Sequence, residues 1–106
     1  MDKIIKSLNI LGQWTLTVDT PFGKEKYSLN IENVDGNLSG LVSHEKGNAT
    51  LINTSFIDGT FKCSLEVEFP IKATVTLQAS IIDDNKMFGT LQVDQYLETL
   101  FIGARL

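Results

Sequence analysis

The sequence predicts an all-β protein, an eight-stranded antiparallel up-and-down β-barrel with a short N-terminal helix. Apolar and polar residues alternate through most of the chain after residue 11, which is typical of strands with one buried face. Tight-turn dipeptides such as Asp35-Gly36 and Asp58-Gly59 separate the alternating segments. The connections are short, so neighbouring strands should pair in sequence order. Closure into a barrel would remove the two exposed edges of the sheet.

The first predicted element is a helix over residues 3–9, where Ile4, Ile5 and Leu8 fall on one stripe. Because so short a helix is unstable alone, we expect it to pack against the closed end of the barrel. The alternation then predicts eight strands in chain order. Their ranges are 12–20, 24–33, 37–44, 48–56, 60–69, 71–82, 86–94 and 96–105. In the first of them, Trp14 and Leu16 face inward.

The last strand differs from the others because it is apolar on both faces. Leu97 and Phe101 share one face, whereas Leu100 and Ile102 share the other. The sequence therefore does not decide which face of this strand points inward. Glu98 would enter the lumen if Leu100 pointed inward. A row of exposed apolar residues invites a partner, so we expect a homodimer.

A faint internal repeat accompanies the strands. At an offset of 49 residues, Pro21 matches Pro70 and Gly40 matches Gly89. These coincidences favour two related four-stranded halves over the chance matches of any regular meander.

Length and composition restrict the class of protein. A chain of 106 residues is the size of one domain, so residues 1–106 are expected to form a single barrel. A net charge of −4 without a basic patch argues against a nucleic-acid partner. We find neither an apolar run long enough for a signal peptide nor one that could span a bilayer. These observations predict a cytoplasmic protein with no membrane partner.

Two short motifs mark the ends of the predicted barrel. Gly12-Gln13-Trp14 opens the first strand, and Gly103-Ala104-Arg105 closes the last. A guanidinium over an indole gains a cation–π contact while its N–H groups bind backbone carbonyls. The pair resembles the Gly-x-Trp and Arg of the calycin superfamily of lipocalin-like barrels, and the chain is also similar to small bacterial barrel domains of that type. The resemblance implies a lipocalin- or streptavidin-like barrel with Trp14 and Arg105 in contact at the closed end. The chain lacks the long first loop of true lipocalins, which implies a small cavity or a filled interior.

The turns sort into two ends. Those at 34–37, 57–60 and 82–86 share the closed end with the N-terminal segment, and those at 20–23, 44–48, 69–71 and 94–96 share the other. That second end has an aromatic rim with the single His of the chain, as a pocket mouth would need, although an oligomer contact would use the same features. Tyr27 is in phase with the inward positions of its strand. We therefore predict a ligand site formed by Tyr27, His44, Tyr96, Phe22 and Phe69.

Groups for catalysis or metal binding are few. With His44 as the single His and Cys63 predicted to face inward, we expect no metal site. No cofactor-binding motif is visible, so we expect no cofactor. Catalytic residues stay unassigned, although His44, Tyr27 and Glu98 are the candidates for acid–base chemistry.

These observations predict a small intracellular barrel that binds a small, largely apolar molecule in its lumen. The first alternative is a small-barrel enzyme of cyclase, isomerase or hydrolase type, and the second is an interaction module that uses its outer surface. A cavity with convergent polar groups favours binding, and a strongly shifted pKa favours catalysis. A lumen filled by side chains favours the interaction module.

Overall fold

The computed structural model describes residues 10–20, 23–45, 47–68, 72–94 and 97–106. These residues form nine β-strands and contain no helix, and the helix predicted for residues 3–9 lies outside the described residues. The strands are β1 (Gly12–Thr20), β2 (Gly23–Val34), β3 (Asn37–His44), β4 (Gly47–Thr50), β5 (Ile52–Ile57), β6 (Thr60–Val67), β7 (Ala73–Asp83), β8 (Lys86–Val93) and β9 (Leu97–Arg105).

All nine strands belong to one antiparallel sheet in the order β4-β3-β2-β1-β9-β8-β7-β6-β5. The strands at the two ends of this order, β4 and β5, are consecutive in the chain. In addition, β4 lies against β6 and β3 lies against β5. The sheet therefore curls until its two edges meet, which gives a nearly closed antiparallel barrel.

The count of eight strands is wrong because the predicted strand 48–56 is divided at Leu51. The Leu51 amide still donates to the Gly40 carbonyl oxygen of β3 at 3.0 Å, whereas Ile52 pairs with Ser64 of β6. The β5–β6 register then shifts between Ile52 and Ser55, and Asn53 takes a positive φ of 52°. The chain changes its neighbouring strand at Leu51, and this exchange joins the two edges of the sheet.

The interior is packed with apolar side chains. Trp14, Phe61 and Met87 have 0% of their surface exposed, and Phe101 has 2%. They belong to one core cluster, and the described residues include no buried polar or charged side chain. Interiors packed in this way resist changes of side-chain volume.

The β2–β3 and β5–β6 hairpins turn as their sequences predict. Asp35 and Gly36 have φ values of 53° and 85°, and Asp58 and Gly59 have 52° and 79°. Two successive positive φ values define the type I′ turn, whose twist matches that of the strands it joins.

The internal repeat is visible in the placement of the strands. An offset of 49 residues moves β3 onto β8, from Asn37–His44 to Lys86–Val93. Gly40 and Gly89 also share an environment, since a Cβ atom would lie 2.4 Å from the Asn30 carbonyl oxygen at Gly40 and 2.0 Å from the Gln78 carbonyl oxygen at Gly89. Each half of the barrel thus uses a glycine where two strand backbones approach closely.

Candidate functional site

One end of the barrel is plugged by Trp14 and Arg105, which are register partners in β1 and β9. The guanidinium carbon of Arg105 lies 4.3 Å from the centroid of the Trp14 ring. Arg105 Nε donates to the Asp84 carbonyl oxygen at 2.7 Å, and Arg105 Nη1 donates to the Leu11 carbonyl oxygen. The predicted contact is confirmed, and it joins the start of β1 to the β7–β8 turn.

The same end carries a tight packing constraint at Gly12. Its φ is +115°, and a Cβ atom there would lie 3.0 Å from Arg105 Nη1. Trp14 Nε1 in turn donates to the Ile10 carbonyl oxygen at 3.1 Å. The indole and guanidinium N–H groups of the plug thus donate to backbone oxygens.

Tyr27 and His44 lie together at the end of the barrel opposite the plug. Ser28 of β2 is the register partner of Ser43 in β3, which places Tyr27 and His44 side by side where the ladder ends. Their ring centroids are 4.8 Å apart, with the planes tilted by 34°. Tyr27 also packs against the core cluster, and both side chains are half-buried. The rim pair, Tyr27 and His44, is therefore an aromatic surface that is open to solvent on one side.

Glu25 completes the arrangement because it lies two residues before Tyr27 on the same face of β2. Tyr27 Oη donates to Glu25 Oε2 at 2.9 Å. Burial, reinforced by the hydrogen bond and charge of Glu25, raises the pKa of Tyr27 to about 12. The phenol thus keeps its proton at neutral pH and acts as a donor. Our sequence analysis missed Glu25, although its spacing from Tyr27 could have indicated it.

A depression of about 480 Å³ lies beside the rim pair. Strand alternation places most of its lining side chains on the outer face of the barrel, so the depression is on the outside and not in the lumen. It is lined by Thr15, Lys26, Tyr27, Ser28, Ser43, His44 and Glu45.

The structure brings together two of the five predicted ligand-binding residues, Tyr27 and His44. The other three, Phe22, Phe69 and Tyr96, lie outside the described residues. The ring contact supports the predicted position of His44 at the mouth of the barrel.

The register of β9 is now fixed, and it removes Glu98 from the lumen. Phe101 is buried, whereas Leu100 is 51% exposed. Glu98 lies two residues before Leu100 and is exposed on the same outer face. The alternative that placed a carboxylate in the lumen at this position is therefore wrong.

Cys63 is a core residue with 2% of its surface exposed. Burial raises the pKa of its thiol to about 12. It contributes to a second depression, of about 380 Å³, near the irregular pairing of β5 and β6. A thiol with so high a pKa is a poor nucleophile at neutral pH.

No protein-family model matches the chain, and no curated protein matches it. Across the described ranges, we find no helix with the length and apolar character needed to cross a bilayer. The class of protein is thus defined by the fold and by the rim pair: a small antiparallel barrel with a filled interior and an aromatic rim.

Proposed function

We propose that this protein binds a small molecule at the rim pair, Tyr27 and His44. The ligand would have a flat apolar part that packs on the two rings and a neutral or cationic polar part. The observation that carries the proposal is the 4.8 Å contact between the two rings at the end of the barrel opposite Trp14 and Arg105. Partly exposed aromatic rings beside polar groups are typical of small-molecule sites.

The packing of the interior favours the rim over the lumen as the binding site. The six side chains expected to line the lumen are buried, with exposed fractions between 0% and 5%. They are Trp14, Leu16, Leu29, Phe61, Leu65 and Leu77. A filled lumen is the outcome expected for the interaction module. It leaves a site at the rim as the form of small-molecule binding that we propose, because a ligand that entered this core would have to displace close-packed side chains.

The charges near the rim are mixed, since Glu25 and Glu45 lie beside it and Lys26 lines the adjoining depression, so the neutral or cationic class of ligand rests on the net charge of the whole chain. The Glu25 carboxylate accepts a hydrogen bond from the Tyr27 hydroxyl, and Glu45 follows His44 directly in the chain. The whole chain carries a net charge of −4. An anionic ligand would approach against this field, whereas a cation would be attracted by it.

Binding is favoured over catalysis by the state of the candidate groups. The pKa of Tyr27 is raised to about 12, so the phenol cannot serve as a base at neutral pH. Glu98 is on the outer face of the barrel. An enzyme would therefore have to use His44 as its base, with the Tyr27 phenol limited to donating a hydrogen bond.

A calycin-like relationship and a cytoplasmic location belong to the same proposal. The calycin-like relationship is supported by the contact of Trp14 with Arg105, since this pair is the feature on which the resemblance rests. The cytoplasmic location is supported by the sequence pattern alone.

Calorimetric titration with three probes that share one ring system tests the proposed ligand class. Indole is neutral, tryptamine is cationic and indole-3-acetate is anionic at neutral pH. We expect tryptamine and indole to bind, and indole-3-acetate to bind at least ~10-fold more weakly because of the net negative charge of the chain. Preferential binding of indole-3-acetate would contradict the proposal.

Matched variants locate the site. His44→Ala removes one ring and should weaken tryptamine binding ~10-fold or more, whereas Tyr27→Phe keeps the ring and should change it less. Ser43→Ala removes a hydroxyl from the depression that Tyr27 and His44 also line but keeps both rings, so it should weaken binding less than His44→Ala does. Full tryptamine binding in His44→Ala would refute the rim proposal.

A further inference from the structure

The outer face of β8 and β9 carries an apolar patch. Phe88 and Ile102 are register partners, and Leu100 lies two residues before Ile102 on the same face. The three side chains are 44%, 54% and 51% exposed. We call Phe88, Leu100 and Ile102 the β8–β9 patch. Clustered apolar side chains of this size on an outer sheet face mark an interaction surface.

The residues that pair in register with the patch from the neighbouring strand positions are polar but uncharged. Thr17 of β1 is the register partner of Ile102, Ser80 of β7 is that of Phe88, and Thr90 of β8 is that of Leu100. An uncharged border matters because two copies of a chain with a net charge of −4 repel each other. This border allows two copies to meet without bringing like charges together at the centre of the contact.

The charged residues of the same two strands stand at opposite ends of the patch. Glu98 pairs in register with Gln92 at one end, and Lys86 pairs with Ala104 at the other. Both charged side chains are exposed. Neither Glu98 nor Lys86 takes part in the ion pair of Lys24 with Asp19.

We propose that a second copy of this chain binds the β8–β9 patch and forms a two-fold symmetric dimer. With the two β9 strands antiparallel across the interface, the Glu98 end of one copy lies over the Lys86 end of the other. Two-fold symmetry then forms this charge pairing twice, while the apolar side chains pack at the centre. The patch is thus complementary to itself both in charge and in apolar character.

The interface is expected to be small because the outer surface of a barrel is curved. We therefore expect a dissociation constant of about 1–100 µM, in the range of weak interfaces. Sedimentation equilibrium from about 1 to 500 µM should show a shift from 11.7 kDa toward twice that mass. A constant mass of 11.7 kDa over this range would overturn the proposal.

Ile102→Lys tests the patch itself, and Ile57→Lys is its matched control. Ile57 is 67% exposed but lies on β5, away from the patch. Ile102→Lys should raise the dissociation constant at least ~10-fold, and Ile57→Lys should leave it unchanged. Hydrogen exchange of the core amides checks that both variants are folded. A folded Ile102→Lys protein that still dimerises as the wild type would exclude this surface.

Charge reversal tests the antiparallel arrangement independently of folding. Lys86→Glu and Glu98→Lys should each weaken the dimer ~3- to 10-fold, and the double variant should restore it. Restoration supports the pairing of Glu98 with Lys86 of the second copy. Additive weakening in the double variant would overturn the proposed arrangement. Binding of tryptamine at the rim is a separate readout, since the rim pair lies on β2 and β3.

Discussion

Arg105 lies over the indole ring of Trp14, with its guanidinium carbon 4.3 Å from the ring centroid. Two of its N–H groups donate to carbonyl oxygens from separate segments, Leu11 just before β1 and Asp84 just before β8. Because β1 and β8 flank β9, the Arg105 side chain joins all three strands, and it also lies over the largest ring of the core. Tyr27 and His44 lie at the opposite end of the barrel.

Trp14→Ala tests the plug. Because the ring has 0% exposure, its removal should destabilise the fold by ~3–5 kcal/mol through lost burial and a residual cavity. Urea unfolding followed by circular dichroism measures the change. A loss below ~1 kcal/mol would mean that the ring is not part of the packed core.

Gly89→Ala tests the close approach of β7 and β8. A Cβ atom at this position would lie 2.0 Å from the Gln78 carbonyl oxygen and 2.6 Å from Ala79 Cα, and backbone cannot move aside easily. We expect a loss of ~2–3 kcal/mol or more in urea unfolding. Gly59→Ala is the control, because its Cβ would meet open space and the cost should be ~1 kcal/mol of backbone strain. Equal losses in the two variants would contradict the packing described for β7 and β8.

Cys63 should react slowly with a thiol reagent in the folded protein. Its thiol is buried and its pKa is raised to about 12, so both access and thiolate are limited. Labelling with Ellman's reagent at neutral pH should be at least ~100-fold slower than in denaturant. A Cys63→Ala, Thr76→Cys double variant, whose cysteine is on the exposed face of β7, should react rapidly. Fast labelling of wild-type Cys63 would show that the barrel opens at the β5–β6 junction.

Tyr27 should give stability an alkaline pH dependence. Its pKa is raised from 10.0 to about 12 in the folded protein, so the unfolded chain loses the proton first as pH rises. This contribution is fully present below pH 10.0 and is lost as the pH approaches about 12. The free energy of unfolding of wild type minus that of Tyr27→Phe, measured against pH, should fall in this window. A constant difference across the window would mean that Tyr27 is not held as the structure shows.

Most strand ranges could be predicted because apolar and polar residues alternate where a strand has one face toward the core. The predicted ranges 12–20 and 37–44 coincide with β1 and β3. The division at Leu51 could not be predicted, since alternation shows the faces of a strand but not its neighbours. The positive φ of Asn53 and the shifted register of β5 arise from closing the barrel, which involves residues far apart in sequence.

The candidate site was predicted in part. The sorting of the turns was enough to place Tyr27 and His44 at the same end, and the phase within each strand placed them in line with the inward positions. The inward face of β9 could not be predicted, because Leu100 and Phe101 are equally apolar. In the structure Phe101 is buried and lies opposite Gly89 of β8. The filling of the lumen depends on summed side-chain volumes, which periodicity does not give.

Intermolecular nuclear Overhauser effects between bound tryptamine and the protein test the central claim most directly. If the site is the rim pair, the indole protons of the probe should show contacts to the rings of Tyr27 and His44, and these contacts should disappear in His44→Ala. The plug and the core, represented by Trp14 and Phe61, should show none because both side chains have 0% exposure. Contacts from the probe to Phe61, Leu29 or Leu77 would place the ligand in the lumen and contradict the account.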